Sequence, residues 1–280
     1  MSAVASLVIY GAVIGGIWAL VAAGFSLIFG VMRVLNFGHG AIFISAAYAT
    51  VAFAAFGMHI AFVGSLLIGL AVGLIIYFLI KPVRKKEITA VIVTLAFALL
   101  VQHLLLLIFG NRGLTVQPVV DGLFEVFGAK FAAIRVVTLI AAILVLLALE
   151  TVMRTSFGKQ ITAVSEDSDA AMLLGIDVER VYLLVILISS LLAAIAGYFY
   201  VQVFSVNPEL GLKVLIYAFA IVILGGLGSI KGSVISSFIL GYIIAATILF
   251  LSPRWSELVM LLAIVLTLII RPYGIFGVKE

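Results

Sequence analysis

The chain has 280 residues, of which 66% are hydrophobic and only 10% charged, with a formal net charge of +4 and a mean hydropathy of +1.42. Soluble domains carry about 25% charged residues. A folded interior of this size cannot hide so much apolar surface, so lipid must be the solvent for most of the chain. Cysteine is absent, which excludes disulfides and thiolate metal sites.

A helix needs roughly 20 apolar residues to cross the hydrocarbon layer. On that criterion spans are predicted near 6–30, 38–57, 60–80, 88–109, 132–153, 181–204, 213–229, 233–251 and 255–271. The first apolar run is too long for a signal peptide and lacks a basic leader, so it reads as a retained span. The second, seventh and eighth runs are short or glycine-rich and could be half-spans. The expected fold is therefore all-α: one transmembrane domain over 1–280, with eight or nine spans, discontinuous helices and a cytoplasmic loop at 154–180.

Orientation follows from the basic residues. "KPVRKKE" (81–87) is the densest cationic segment and should be cytoplasmic. Alternating from it through nine spans puts eleven of the 16 Lys and Arg residues inside, with the N-terminus outside and the C-terminus in the cytoplasm. The external stretch 110–131, "GNRGLTVQPVVDGLFEVFGAKF", suits an interfacial segment or docking surface. In the internal stretch 154–180, Ser165 is a candidate N-cap. Glu166, Asp167 and Asp169 crowd the first turn, and Gly175 suits the stop of a short helix. Acids at a helix start complement its dipole. This helix would expose Ala170, Ala171, Leu173 and Leu174 beyond the bilayer, where they need a partner.

A faint internal repeat joins the two halves. "FGVMRVLNFGHGAIFISAA" (29–47) and "LGGLGSIKGSVISSFILGY" (224–242) each run from an apolar helix through a Gly-rich polar break to a Gly and a small residue. Matching breaks in two halves point to the central site of a transporter. The candidate path residues are Asn36, Phe37, Gly38, His39 and Gly40, paired with Gly225, Gly226, Gly228 and Ser229. Two readings of Asn36 and His39 stay open. Their side chains either satisfy backbone groups freed by the break, as irregular backbone at membrane depth requires, or face the solute.

All 12 carboxylates fall in loops or close to a span end, so no acidic ion-coupling site of the kind used by secondary transporters is evident. The three histidines have no metal-ligand spacing. No Gly-x-Ser-x-Gly occurs, and "GGLGSIKGS" (225–233) lacks the Walker spacing. No catalytic residues, metal or cofactor are predicted. Gly11/Gly15, Gly69/Gly73 and Gly228/Gly232 fit GxxxG and are packing candidates. His103 is expected to form an interhelical hydrogen bond.

"GGIWALVAAGFSLIFGVMRVLNFGHGAIFISAAY" (15–48) resembles the opening of the branched-chain amino acid ABC transporter permeases. Ala-Leu-x-Ala-x-Gly-Phe, Gly-Val-Met and Asn-Phe-x-His-Gly come in the same order. "GKQITAVSEDSDAAMLLGID" (158–177), "LGGLGSIKGS" and "RPYGIFG" extend the resemblance over essentially the whole chain, and its length resembles the shorter of that family's two permease types. The resemblance implies an importer in a bacterial-type inner membrane. Its other parts would be a second permease subunit in a hetero-dimer, two cytosolic ATPases and an external solute-binding protein, with surrounding membrane lipid and no nucleic acid. ATP hydrolysis by the partners would supply the energy. Gly158, Glu166, Asp167, Ala170, Ala171, Leu174 and Gly175 would couple to the ATPase. The implied solute is a branched-chain or other small apolar amino acid, with urea, short amides or sugars as alternatives within the superfamily. An ion-independent channel is a remoter alternative.

Overall fold

A computed structural model describes residues 2–126, 129–270 and 274–276. Eleven α-helices are found among them. The first, α1 (Ser2–Met32), has 31 residues, about 46 Å at 1.5 Å per residue, and so overspans a hydrocarbon layer of about 30 Å. Its most apolar stretch is 89% buried by protein, which makes it the axis of the bundle. α2 (His39–Phe53), α3 (Met58–Ile80) and α4 (Glu87–Phe109) follow; α2 runs on through a 3₁₀ turn at Ala54–Phe56. α5 (Ala133–Arg154) leads to two short helices, α6 (Ser156–Glu166) and α7 (Ser168–Leu173). α8 (Val178–Val203), α9 (Leu210–Gly225), α10 (Ile230–Phe250) and α11 (Ser256–Ile270) complete the chain.

Seven helices among the described residues are long and apolar enough to cross a membrane, and α9 is a shorter apolar helix of 16 residues. α11, with 15 residues, is similarly short. Every predicted span thus has a helix, though the seventh ends at Gly225 instead of 229. Gly226 and Gly228 take φ of +99° and +83°, values open to glycine but strained for other residues, and the chain turns there.

The helical bundle fits the all-α expectation, with one small element that the sequence did not announce. The 110–131 loop contains an antiparallel hairpin, β1 (Leu123–Val126) and β2 (Ala129–Ala132), with Glu125 opposite Lys130. Alternation is too short there to separate strand from loop in the sequence.

Glycine contacts set the closest helix crossings. A Cβ at Gly15 would lie 2.9 Å from the Phe238 Cα, and one at Gly241 2.5 Å from the Gly15 backbone nitrogen, so α1 and α10 touch backbone to backbone. A Cβ at Gly69 would lie 2.6 Å from the Ala194 Cβ, and Gly73 abuts Ser190, seating α3 on α8. The GxxxG pairs 11/15 and 69/73 are thus packing surfaces. Without extra hydrophobic drive between helices in lipid, such close van der Waals contact is what holds them. His103 departs from expectation: its Nδ1 lies 2.8 Å from Leu99 O, within its own helix and exposed.

The loops sort to two ends. At one, Leu114 and Val206 bridge the 110–122 and 204–209 segments, and Tyr10 near the start of α1 packs on Phe131 and lies 4.1 Å from the Arg135 guanidinium. At the other, Arg33 reaches Ser165, Arg84 and Lys81 reach Glu179, and the 274–276 backbone bonds to Leu224 and Gly225. The chain start and the 274–276 segment therefore lie at opposite ends.

Candidate functional site

The first break covers 33–38. Arg33 ends α1 with φ of +54°, a left-handed conformation that a residue with a side chain rarely adopts. The Asn36 Oδ1 then accepts the Gly38 N–H at 3.0 Å, an Asx turn that stands in for the missing helical bond. The Phe37 N–H donates to Thr94 Oγ1 on α4 at 3.1 Å. Asn36 is buried, and its Nδ2 has no partner.

His39, the first residue of α2, is fully buried. Its Nε2 lies 3.0 Å from the Val21 carbonyl. A carbonyl only accepts, so the proton sits on Nε2 and Nδ1 is left as an acceptor. The Ser189 hydroxyl lies 3.4 Å from that Nδ1 and 2.9 Å from Gly24 O, so its one proton is shared between two acceptors. His39 and Ser189 thereby stitch α2 and α8 to α1. Phe37 differs: it is only half-buried and packs edge-to-face on Phe219 of α9 at 6.3 Å.

Gly38 and Gly40 are close-approach positions. A Cβ at Gly38 would meet Ile76 at 2.8 Å, and one at Gly40 would collide with the Gly211 carbonyl oxygen on α9. The second break repeats the device. Gly232, two residues into α10, abuts the Gly225 carbonyl at the other end of α9. Ser229 caps α10 by accepting the Gly232 N–H at 3.1 Å. Gly228 sits against Gly30 of α1.

The two breaks lead into contacts at opposite ends of α9 and face different neighbours. Asn36, Gly38, His39, Gly40, Gly225 and Gly226 are buried in helix contacts, whereas Gly228 and Ser229 line a cleft of about 800 Å³ with α1, α5, α6 and α10. No residue of the first break lines that cleft.

The segment after α5 forms two capped helices where one is expected. Thr155 caps α6 by accepting the Gly158 N–H. Asp167, not Ser165, caps α7, its Oδ1 accepting from Asp169 N at 2.9 Å and Ala170 N at 3.0 Å; the Ser165 hydroxyl instead donates to Thr162 O. Gly175 (φ +84°) ends α7 with paired bonds, Ile176 N–H to Ala171 O and Gly175 N–H to Met172 O, the Schellman arrangement. Two coupling expectations change. Ala171 is 2% exposed and packs inward, while Leu173 and Leu174 are 89% and 81% exposed. Gly158 lies where a Cβ would collide with the Met153 carbonyl, so it makes the α5–α6 corner possible and offers no docking surface. Glu166, Asp167, Ala170 and Gly175 are exposed as expected.

One cluster escapes sequence reasoning. Glu179 at the start of α8 accepts from Tyr77 Oη at 3.0 Å and pairs with Arg84 and, at 3.7 Å, Lys81. Arg84 also lies over the Tyr182 ring at 4.6 Å. These residues pin the start of α8 to α3 and the turn after it from about a hundred positions away, and no local pattern announces them.

Residues 7–268 match the family described as the permease component of the branched-chain amino acid transport system. Among curated proteins, the chain is 31% identical to the high-affinity branched-chain amino acid transport system permease protein LivH of Escherichia coli K12, over 96% of this chain and 94% of that one. It is 29% identical to the probable branched-chain amino acid transport permease LivH of Methanocaldococcus jannaschii, over 97% and 92%. The fructose import permease FrcC of Rhizobium meliloti is 26% identical over 74% of this chain and 61% of its own length. Among solved structures, PsaBC from Streptococcus pneumoniae in complex with Fab contains a chain of like fold. Its TM-score is 0.55 at 16% identity, covering 95% of this chain and 92% of that one.

Proposed function

We infer the function from one premise: the chain belongs to the branched-chain amino acid transport permease family. It is the permease subunit of an ATP-driven importer, a multi-pass membrane protein that moves its solute and does no chemistry on it. The proposed solute is a branched-chain or other small apolar amino acid, the class named for its relatives. The near end-to-end match to those relatives carries this reading.

The proposed topology has nine crossings in an inner, plasma-type membrane, N-terminus outside. Two observations support counting the short helices. Lys213 near the start of α9 pairs with Glu257 near the start of α11. Gly274, beyond α11, rests on Ile223 and Gly226 at the end of α9. Both helices thus lie side by side and point the same way, which supports counting them together. The basic 81–87 segment at the α6–α7 end supports a cytoplasmic assignment for that end.

The proposed partners are a second permease subunit, two cytosolic ATPases and an external solute-binding protein. ATPase docking falls to α7 through Glu166, Asp167, Ala170, Leu174 and Gly175, joined by Leu173. The solute path runs along the face opened by Phe37 and Phe219, between α2, α4 and α9, closed by the second permease. Asn36, Gly38, His39 and Gly40 shape that break from behind, as Gly225, Gly226, Gly228 and Ser229 shape the other. A neutral lining of aromatic rings and backbone dipoles suits a zwitterion with an aliphatic side chain, because helix ends can hold its charges without a fixed side-chain charge.

The test is uptake into proteoliposomes holding the assembled importer, with the solute-binding protein outside and ATP inside. Labelled leucine should accumulate and fructose should not. Accumulation of fructose, the solute named for one relative, or of neither, overturns the substrate assignment.

A further inference from the structure

We propose that the cleft between α1, α5, α6 and α10 is a binding site for an anionic phospholipid, with the headgroup at the Arg154–Lys231 rim and an acyl chain in the groove. The cleft, about 800 Å³, is charged at one end and aliphatic along its length. At the rim, Arg154 and Lys231 are largely exposed, and Glu150 lies between them, 3.0 Å from Arg154 and 3.9 Å from Lys231. Two cations against one carboxylate leave a net positive charge where a phosphate would sit.

Below the rim the lining turns apolar. Ile143 lies eleven residues before Arg154 on α5, and Phe238 seven after Lys231 on α10. At 1.5 Å per residue these are about 16 and 10 Å deeper, a depth that takes most of an acyl chain. α5 and α10 are both long and apolar enough to cross the membrane, so whatever fills an uncovered groove between them must be hydrocarbon.

A second observation points into the same groove. Ser26 is fully buried, its hydroxyl has no partner, and it lines the cleft. A buried hydroxyl left unpaired is unfavourable. Ser26 lies six residues before the end of α1, about 9 Å in from Met32. That is the level of an ester carbonyl below a headgroup held at the rim, and such a carbonyl is the acceptor the hydroxyl lacks.

The experiment uses the assembled importer in nanodiscs of equal phosphatidylglycerol and phosphatidylcholine, with native mass spectrometry of retained lipid. Wild type should retain phosphatidylglycerol over phosphatidylcholine by about fivefold, from roughly one net basic residue's worth of attraction. The double variant Arg154→Gln/Lys231→Gln, altered only at exposed positions, should lose that preference yet still retain lipid. Val234→Trp should lower retention of both lipids, with thermal unfolding of the complex showing that it is folded. Equal retention of the two lipids by wild type overturns the headgroup assignment, and unchanged retention in folded Val234→Trp overturns the groove assignment. Disulfide capture between Ile235→Cys and a cysteine on another protein subunit also overturns the proposal, because the groove would then be a protein interface.

Discussion

Leu173 and Leu174 stand almost fully exposed at the end of α7, a helix held rigidly by Asp167 at one end and Gly175 at the other. Replacing both by Ala removes three carbons from each. At about 0.8 kcal/mol per buried methylene-sized group the pair is worth up to about 5 kcal/mol on full burial. An ATPase groove covers such side chains on one side, so about half is the working figure. At about 1.4 kcal/mol per tenfold, ATPase affinity should fall between tenfold and a hundredfold. The assay is ATPase retention on immobilised permease across a concentration series, with solute-stimulated hydrolysis in parallel. Thermal unfolding of the double variant should match wild type, because neither side chain packs inside. Ala171→Arg, by contrast, should lower the yield of folded permease, since Ala171 is buried. Unchanged ATPase retention in the Leu173/Leu174 double variant refutes the docking reasoning.

Gly225→Ala places a Cβ 2.5 Å from the Ser233 backbone nitrogen; overpacking of that kind costs about 1–3 kcal/mol, read as a lower unfolding temperature of the purified complex. Gly175→Ala meets open space but keeps φ at +84°, so its penalty should be the left-handed strain of about 1–2 kcal/mol alone. His39→Ala should reduce folded protein more than it reduces leucine uptake per folded permease, because the ring bonds only to α1 and α8; an uptake loss with normal folding contradicts this. For orientation, a thiol at Lys85→Cys should resist an impermeant reagent added to intact cells, while one at Val120→Cys should react. The cysteine-free background makes each site unambiguous.

Much of the architecture is legible in composition and periodicity, since apolar runs of membrane length leave helices as the only solution in lipid. The break at 33–38 is legible too: Asn36, Gly38 and Gly40 interrupt an apolar run where nothing else does. What the sequence hides is direction. Asn36 and His39 carry the polar atoms that suggest a solute site, yet both turn inward to α1 and to the backbone of the break. Whether a polar side chain meets solute or a neighbouring helix depends on the rotation of α2 about its axis. Contacts such as Gly40 on Gly211 fix that rotation, and no residue near position 40 reveals them. The same holds for Ala171 and Leu173, neighbours but one in sequence and opposite in exposure. Glu179 reads as a first-turn acid until Tyr77, Lys81 and Arg84 come to meet it.

The two glycine contacts of α9 have a mechanical corollary. The helix is gripped at Gly211 by Gly40 and at Gly225 by Gly232, and both grips lie in the first turn of the helix that follows a break. The grips are fourteen residues apart, about 21 Å along the axis. With backbone against backbone there is no side chain to flex, so neither joint absorbs displacement. α9 is therefore placed as a strut between the two breaks, held backbone to backbone at both ends.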